Sequence, residues 1–459
     1  MSYYSRSASA PLDSAHGLPH PRRLWAVLSV SLAVVLSVLD GSLANVALPT
    51  IASELHASAH ASVWVVNGYQ LAIITTLLPV AALAEHIGYR RVFRTGILIF
   101  TLSSAGCAWA HSLSGLVAAR VIQGLGASAI MCCSSALLRL AYPSERFGKG
   151  LALNTFVVTL ASAAGPTICA AMLSFTTWPW LYAINLPIGL LALLTARQLP
   201  FSPLQPRTFD ALNILLNAFG MSAGVVGITL LNSTPWIAII LIIIAILSMR
   251  QLVMRSRIQE TPLLPLDLFR IPRFRWAVSA SFCMFSAQMC AFVTLPFYVQ
   301  HELGLSIVHT GLLMTTWPVG ASLANLAISP FIDRLRAASM SASGAILQTG
   351  GLVLLLMFHH GASDLRIAAC MLLSGIGFGL FQAPNGRDML SAAPRVRSGA
   401  AGGMQATARV SGQTCGAALA GLCFSLSIWQ GSRLALGVAA GLSVIAVILN
   451  LNRRRALKE

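Results

Sequence analysis

An acidic and a basic residue lie deep inside two apolar stretches of the sequence, where the pair could hold or move a proton. Asp40 stands in the middle of VLSVLDGSLANVALPTI, residues 35–51, and Arg120 begins RVIQGLGA, residues 120–127. If both stretches cross a membrane as helices, a rise of about 1.5 Å per residue places the two side chains roughly 10 to 13 Å inside one face. A carboxylate in hydrocarbon is costly and usually functional. The pair is therefore either a static ion pair that holds helices together or a site of proton coupling, at which Asp40 exchanges a proton as its access alternates and Arg120 tunes that step.

The composition is that of a membrane protein. Of the 459 residues, 56% are hydrophobic and only 9% are charged, whereas soluble domains carry about 25% charged residues. Fourteen segments are long and apolar enough to cross about 30 Å of hydrocarbon. Their predicted bounds are 24–49, 62–84, 92–110, 113–137, 150–174, 178–196, 210–231, 235–253, 274–299, 308–330, 339–358, 364–385, 399–425 and 432–452. We therefore predict an all-α membrane protein with 14 transmembrane helices.

The distribution of Lys and Arg predicts the orientation of these helices. With the N-terminus in the cytoplasm, 26 of the 30 Lys and Arg residues lie in or beside cytoplasmic segments, as the positive-inside rule requires. Residues 1–23 and 453–459 are then cytoplasmic tails, and the net charge of +17 serves orientation and lipid contact rather than nucleic-acid binding. We expect the first span to be retained, because it is too long for a signal peptide and lacks a small-residue cleavage site.

The chain also repeats itself. AYPSERFGKG, residues 141–150, resembles AAPRVRSGAA at residues 392–401, and ALAEHIGYRR, residues 82–91, resembles SPFIDRLRAA at residues 329–338. The two offsets, 251 and about 248 residues, nearly agree. This spacing predicts two pseudo-symmetric six-helix bundles, residues 24–196 and 274–452, with two inserted helices at 210–253. Two bundles that rock around a central site produce alternating access.

Five longer motifs occur in order along the predicted helices. They are LDGSLANVALP (residues 39–49), RVIQGLGA (120–127), AGPTICAA (164–171), WPWLYAINLPIG (178–189) and RVSGQTCGAALAG (409–421). Together they resemble the major facilitator superfamily, in its 14-helix drug:proton antiporter branch, over about residues 24–452. The resemblance implies the major facilitator fold and multidrug efflux at the bacterial inner membrane. One motif departs from the family pattern, since Ala81, Glu85 and His86 replace its usual Gly, Asp and Arg.

A second group of residues is expected to control helix movement. Its members are Glu85, Gly88, Arg90, Arg91, Gln123, Gly124, Gly126, Gly165, Pro166, Asp333 and Arg334. The acidic and basic members in the two repeated loops are candidates for a cytoplasmic latch. The glycines permit close contact between helices. Gly165-Pro166 is either a structural kink or, as the family resemblance implies, a barrier against leak.

Seven side chains are candidates for contact with a substrate. They are Asp40, Tyr69, Gln70, Gln288, Met289, Trp317 and Arg409. An aromatic ring and a thioether suit flat lipophilic cations, although Trp317 is equally consistent with packing, and Arg409 either contacts a backbone carbonyl or an anionic ligand. One deep acid beside two deep arginines leaves two substrate classes open. The first is a lipophilic cation that is exported, and the second is an anionic or neutral metabolite that is exported or imported.

The sequence signatures of other classes of membrane protein are absent from this chain. The chain has no GxxxxGK[ST] phosphate loop for an ATP-driven pump and no paired catalytic groups inside its deep segments. Its nine cysteines and ten histidines show no metal-ligand spacing, and no segment is long enough for an appended sensor domain. We therefore predict a monomeric transporter of a small molecule and protons in a lipid bilayer, with no enzyme activity, metal, cofactor or nucleic acid.

Overall fold

A computed structural model of the protein describes residues 17–143, 147–201, 210–257, 266–328, 336–358, 362–394, 398–427 and 430–456. Within these ranges the chain is helical and contains no β-strand. The predicted latch residues Asp333 and Arg334 lie outside the described residues.

The helices follow one another with short connections. In the first half they are α1 (His20–Glu54), α2 (Ala59–Ser62), α3 (Trp64–Ile87), α4 (Tyr89–Ala108), α5 (Leu113–Ala141), α6 (Phe147–Leu173), α7 (Pro179–Ala183) and α8 (Asn185–Thr195). The inserted pair is α9 (Ala211–Leu230) and α10 (Pro235–Ser256). The second half contains α11 (Pro272–Phe297), α12 (Ile307–Ile328), α13 (Ala337–Leu356), α14 (Asp364–Ala392), α15 (Ser398–Leu426) and α16 (Gly431–Ala456). A short α2 continues into α3 and a short α7 into α8, so each of these pairs forms one span.

Twelve helical segments of the described chain are long and apolar enough to cross a membrane. Helices α4 and α15 correspond to the remaining two predicted spans. Both are long enough, but α4 begins with a cluster of arginines and α15 carries polar side chains in its middle. The predicted ends agree with the observed ones to within a few residues, except that α14 continues past the charged Arg387 and Asp388 to Ala392. Pro384 lies inside this helix without ending it. Membrane helices tolerate such prolines.

The outer surfaces of the helices are apolar. On α10, the exposed side chains include Ile239, Ile243, Ile246 and Leu247. A water-soluble monomer rarely exposes an apolar face of this extent. These faces therefore contact lipid, and the fold depends on polar residues being directed inward.

The packing of the first half repeats in the second. Helix α5 packs against α3 and α4 as α14 packs against α12 and α13, and α1 packs against α6 and α8 as α11 packs against α15 and α16. A Cβ atom added to Gly126 would lie 2.7 Å from the carbonyl oxygen of Gly96, and one added to Gly377 would lie 2.5 Å from that of Gly344. These glycine pairs are separated by the same two offsets as the repeated loops. The predicted pseudo-symmetry of two six-helix bundles with two inserted helices is confirmed.

The two bundles contact each other through α6 with α12, α3 with α15, and α1 with α11. Close contacts lie near the face opposite the start of α1 and the end of α16. The hydroxyl oxygens of Thr167 and Thr315 are 2.6 Å apart, and Nδ1 of His60 lies 2.8 Å from the carbonyl oxygen of Gly421. The bundles are therefore closed against each other at that face. The inserted helix α9 packs on α3 and α15, beside the same interface.

Candidate functional site

Asp40 and Arg120 form a buried ion pair between α1 and α5. Nη1 of Arg120 donates a hydrogen bond to Oδ2 of Asp40, and each side chain is 1% exposed. Charges buried to this degree are stable only when they are paired and hydrogen-bonded. The structure thus brings together the two deep charges that the sequence placed at similar depth.

Two side-chain amides complete the surroundings of the carboxylate. Oδ1 of Asp40 accepts a hydrogen bond from Nε2 of Gln123 over 2.9 Å and from Nδ2 of Asn185 over 2.7 Å. Gln123 lies one turn beyond Arg120 on α5, and Asn185 is the first residue of α8, where α7 gives way to it. Three donors therefore converge on Asp40, an arrangement that suits its ionised form.

The guanidinium of Arg120 is fixed by further contacts. Its Nε donates to the carbonyl oxygen of Val65 over 3.1 Å, and its Nη1 also donates to Oε1 of Gln123. The ring of Tyr69 lies 4.2 Å from the guanidinium carbon and the ring of Tyr182 lies 5.6 Å from it. Cation–π contacts of this kind stabilise a desolvated cation. Tyr69, a predicted substrate contact, therefore belongs to the surroundings of Arg120.

Helix α4 closes the network from a third side. Oγ of Ser104 accepts a hydrogen bond from Nε2 of Gln123 over 2.8 Å and lies 3.5 Å from Nδ2 of Asn185. Sγ of Cys107 lies 3.8 Å from Oε1 of Gln123. We call Asp40, Ser104, Arg120, Gln123 and Asn185 the carboxylate network. It joins α1, α4, α5 and the junction of α7 with α8.

The amide oxygen of Asn185 is the unsatisfied atom of the carboxylate network. Asn185 is fully buried, and its Oδ1 has no hydrogen-bond partner within the described chain. A protonated Asp40 would carry a hydroxyl group that needs an acceptor. Rotation of the Asn185 amide by half a turn would bring Oδ1 to the position that Nδ2 occupies. Sequence reasoning quoted this asparagine within WPWLYAINLPIG but assigned it no role, although a lone amide inside an apolar span was a usable signal.

The motif glycines hold close contacts between helices. A Cβ atom added to Gly124 would lie 2.5 Å from the carbonyl oxygen of Tyr69, and one added to Gly165 would lie 2.3 Å from Oγ of Ser42. On the opposite side of α6, a Cβ atom added to Gly311 would lie 2.6 Å from the carbonyl oxygen of Pro166. The Gly165-Pro166 segment therefore contacts its own bundle and the other bundle at once.

The loop between α3 and α4 has the conformation that its glycine permits. Gly88 has φ of 103°, a region that side chains with a Cβ rarely adopt. Arg90 donates from Nη2 to the carbonyl oxygen of Arg197 over 2.7 Å and lies over the ring of Phe201. Arg91 is exposed. In this arrangement Arg90 ties α4 to the segment after α8, within one bundle.

The remaining predicted substrate contacts are distributed over several surfaces. Trp317 is 1% exposed and packs edge to face on Phe292, with ring centroids 5.3 Å apart. Met289 lies in the same apolar cluster, which also includes Leu43 of α1 and therefore spans both bundles. Nε1 of Trp317 and Oε1 of Gln288 are buried and have no partner among the described residues.

Gln70 and Arg409 are the two remaining candidates. Gln70 is buried on α3, and Arg409 is half-buried near the middle of α15. The structure therefore unites Asp40, Arg120 and Tyr69. It places Met289 and Trp317 together in one apolar cluster and leaves Gln70 and Arg409 apart from both groups.

A second buried charge cluster was not predicted. Asp388 of α14 accepts a hydrogen bond from Nε of Arg273 over 2.6 Å, and its Oδ2 lies 3.6 Å from Nε of Arg453. Arg453 is fully buried and donates to Oδ1 of Asn385. The sequence suggested a solvated tail from residue 453 onward, but α16 continues to Ala456. Asp40 is consequently not the sole deeply buried acid of the described chain.

Comparison with known proteins identifies the family. A protein-family model described as Major Facilitator Superfamily matches residues 30–409 and, in a second match, residues 277–459. The chain belongs to the major facilitator superfamily. Among solved structures, this major facilitator protein is similar to a bacterial homolog of the human lysosomal transporter Spinster in an inward-facing, unoccupied conformation, with a TM-score of 0.68 and 14% identity over 95% of this chain and 98% of that one. At that identity the likeness concerns the fold alone.

Several relatives of this major facilitator protein have names that mention transport or drug resistance. An uncharacterized transporter of Escherichia coli K12, YebQ, is 43% identical over 96% of this chain and 97% of its own length. The riboflavin transporter RibZ of Clostridioides difficile is 29% identical, with 84% and 85% covered. The probable multidrug resistance protein EmrY of Escherichia coli K12 is 30% identical, with 72% of this chain and 64% of that protein covered. The chain is thus a multi-pass membrane transporter with multidrug efflux proteins among its relatives.

Proposed function

We propose that this protein exports small lipophilic compounds across the bacterial inner membrane in exchange for protons, by alternating access. The observation that carries the proposal is the position of Asp40, a buried carboxylate whose two oxygens bind Arg120 and Gln123 of α5 and Asn185 of α8. Any change in the charge of Asp40 changes the contacts of α1 with α5 and with the start of α8. The protonation state is thereby linked to helix packing.

The proton step follows from the donors around the carboxylate. While Asp40 is ionised, it attracts Arg120 and accepts hydrogen bonds from both amides. Protonation removes that attraction and turns one carboxylate oxygen into a donor. Rotation of the Asn185 amide then supplies an acceptor. The contacts that hold α1 to α5 weaken, the first bundle repacks, and its contact with the second bundle at the outer end of α6 and α12 opens.

The leading substrate class is a lipophilic cation. A cation that binds at Asp40 must compete with Arg120, and protonation of Asp40 disfavours the cation in the same way. Because the single carboxylate of Asp40 binds either a proton or the cation, the transporter exchanges protons for the cation. The apolar cluster around Met289 and Trp317 contains an aromatic ring and a thioether that suit such a cation, and the name of EmrY, a probable multidrug resistance protein, supports drugs as substrates.

An anionic or neutral metabolite is the second candidate. Its specific support is that Arg120 already compensates the charge of Asp40, while Arg409 has no carboxylate partner among the residues that the structure describes. The similarity to RibZ, whose name gives riboflavin as its substrate, also favours a flat heterocycle without positive charge. The fold and the proton site are the same for both candidates.

The orientation and assembly remain those proposed from the sequence. Both chain ends lie in the cytoplasm, and the bundles contact each other at the outer face. Every residue of the carboxylate network belongs to the first six-helix bundle of one chain, which supports a monomer as the functional unit.

A reconstitution experiment tests the proposed function. Purified protein in liposomes is given an inward or outward pH gradient, and the movement of ethidium, an organic cation, is compared with that of riboflavin and of fluorescein, an organic anion. Transport of ethidium against its gradient supports cation export, and transport of riboflavin or fluorescein supports the second candidate. If none of the three moves under either gradient, the proposed function is wrong.

A further inference from the structure

The interior face of α15 carries a polar stripe that the carboxylate network does not use. Gln405, Arg409 and Gln413 follow one another at intervals of four residues, and all three side chains are half-buried. Residues four apart lie on one side of a helix, about 6 Å apart along its axis. We call these three residues the α15 stripe. Arg409 is the twelfth residue of a 29-residue helix, so it lies near the middle of the membrane.

Neighbouring glycines show which way one edge of the stripe faces. A Cβ atom added to Gly412 would lie 2.6 Å from the carbonyl oxygen of Phe282, and one added to Gly416 would lie 2.2 Å from that of Ser286. Both contacts are with α11. At about 100° per residue, Arg409 is displaced only some 20° to 60° from these two glycines around α15.

The opposite edge of the stripe faces the other bundle. Val410 belongs to an apolar cluster with Tyr69 and Ile73 of α3, and a Cβ atom added to Gly421 would lie 3.5 Å from Val63 at the start of α3. Val410 and Gly421 are displaced about 100° to 120° from Arg409 in the other direction. Arg409 therefore faces the space between α11 and α3, at the boundary of the two bundles.

The stripe has donors without partners. None of its three side chains makes a hydrogen bond or ion pair with any part of the chain that the structure covers. The nearest deep acid, Asp40, is already held by Arg120, and the acid in the second half, Asp388, is held by Arg273. An unpaired guanidinium at membrane depth is costly and points to a ligand or a water-filled space.

The chemistry of the stripe selects one kind of ligand. A guanidinium presents five N–H donors in a planar fork that matches a carboxylate or another delocalised oxyanion. The amide of Gln413, one turn further along α15, adds N–H donors, whereas the amide of Gln405 packs against Gly386 of α14. We propose that the α15 stripe binds the oxyanion group of an organic substrate. Of the two candidate substrate classes, this site fits the second: an amphipathic anion, with an aromatic or aliphatic body for the apolar cluster around Met289 and Trp317 and an acidic oxygen for Arg409.

This inference rests on the proposed function for the statement that the bound molecule is transported, but the binding itself is measurable without transport. The full-length purified protein in detergent is titrated against fluorescein, and fluorescence polarisation reports binding. Replacement Arg409→Gln removes the charge and keeps the polar end of the side chain. Since a hydrogen bond to a charged group contributes about 1.5 to 3 kcal/mol, we expect Arg409→Gln to weaken binding at least about tenfold, and Arg409→Lys to recover part of it.

A second variant leaves Arg409 in place. Gln413→Glu puts a carboxylate one turn from the guanidinium of Arg409. The two side chains form an i,i+4 ion pair, which occupies the N–H donors of Arg409. We expect it to weaken fluorescein binding in the same way. Gln251→Glu adds the same charge on exposed α10, so it serves as the matched control and should bind fluorescein as the original protein does.

The outcomes separate this inference from the proposed function. Binding of fluorescein that Arg409→Gln and Gln413→Glu both weaken, while ethidium binding is unchanged, supports the stripe as an oxyanion site. If fluorescein does not bind, or if it binds equally to these variants, the inference is wrong even if ethidium is transported. If fluorescein binds through Arg409 but no compound moves in liposomes, the inference stands and the proposed transport fails.

Discussion

The side-chain nitrogen of Asn185 donates a hydrogen bond to Oδ1 of Asp40 over 2.7 Å, while the oxygen of the same amide is buried and has no partner in the described part of the chain. An asparagine amide can serve an ionised carboxylate as a donor and a protonated one as an acceptor. Asn185 is therefore a positioning residue for the proton step that we propose, acting through Asp40 rather than on the substrate.

The first prediction concerns the pH dependence of transport. Asn185→Asp replaces a donor by a second carboxylate, and Asn185→Leu removes the donor; both changes disfavour the ionised form of Asp40. The pH midpoint of proton-driven transport should therefore rise by at least about one unit, the equivalent of one hydrogen bond to a charged group. The measurement is the initial transport rate in liposomes over a series of internal pH values.

Asn217→Leu is the control for that experiment. Asn217 is also buried, but it lies on α9, outside the carboxylate network. Replacement of an asparagine that only stabilises the fold would lower the amount of folded protein without moving the pH midpoint of transport, and this is the result expected for Asn217→Leu. An unchanged midpoint in both Asn185 variants would contradict the role of this amide.

The second prediction concerns the contact between the two bundles. The hydroxyl oxygens of Thr167 on α6 and Thr315 on α12 are 2.6 Å apart, so cysteines at both positions should form a disulfide under mild oxidation. If the bundles separate at this face during each cycle, the oxidised Thr167→Cys/Thr315→Cys protein stops transporting and a reducing agent restores the rate.

The native cysteines require a control, because Cys169 lies two residues from Thr167. Each single cysteine variant is oxidised in parallel, and the cross-linked peptide is identified by mass spectrometry. Full transport by a protein with a demonstrated disulfide between α6 and α12 would contradict alternating access through this interface.

The third prediction concerns stability and the second charge cluster. Asp388→Asn leaves the buried guanidinium of Arg453 without a carboxylate, so we expect a loss of about 3 to 5 kcal/mol of unfolding free energy. Thermal unfolding in detergent checks this. The double variant Asp388→Asn/Arg453→Met removes both charges and should recover part of the loss.

An exposed pair provides the comparison for this cluster. Asp210 and Arg255 form an ion pair in which the side chains are 31% and 35% exposed. Asp210→Asn should change the stability by less than about 1 kcal/mol, as is usual for surface pairs. Equal effects of the two aspartate variants would show that burial does not determine the contribution of Asp388.

The sequence predicted most of the fold because each membrane helix is recognisable from its own run of apolar residues. Long apolar runs marked the spans, and the repeated loops marked the two halves before any contact was known. The predicted end of α14, residue 385, is wrong because the apolar run stops before Arg387 and Asp388, whereas the helix continues past these charges to Ala392. Arg453 was assigned to a tail because a cluster of arginines at a chain end is normally solvated.

The site was only partly predictable for a different reason. The depth of a side chain in the membrane follows from counting residues along its helix, so the proximity of Asp40 and Arg120 could be predicted from the sequence. The contact of Asp40 with Asn185 joins residues 145 positions apart, and it depends on how α8 packs on α1. No local pattern reports that packing, and the same applies to Asp388 and Arg453.

The central claim is that protonation of Asp40 drives transport. Asp40→Asn keeps the size of the side chain and one of its two acceptor oxygens but holds its charge at zero. In liposomes with an imposed pH gradient, we predict that this variant accumulates no substrate above the level of protein-free liposomes, while exchange of labelled for unlabelled substrate without a gradient continues. Accumulation by Asp40→Asn equal to that of the original protein under the same pH gradient would contradict the claim.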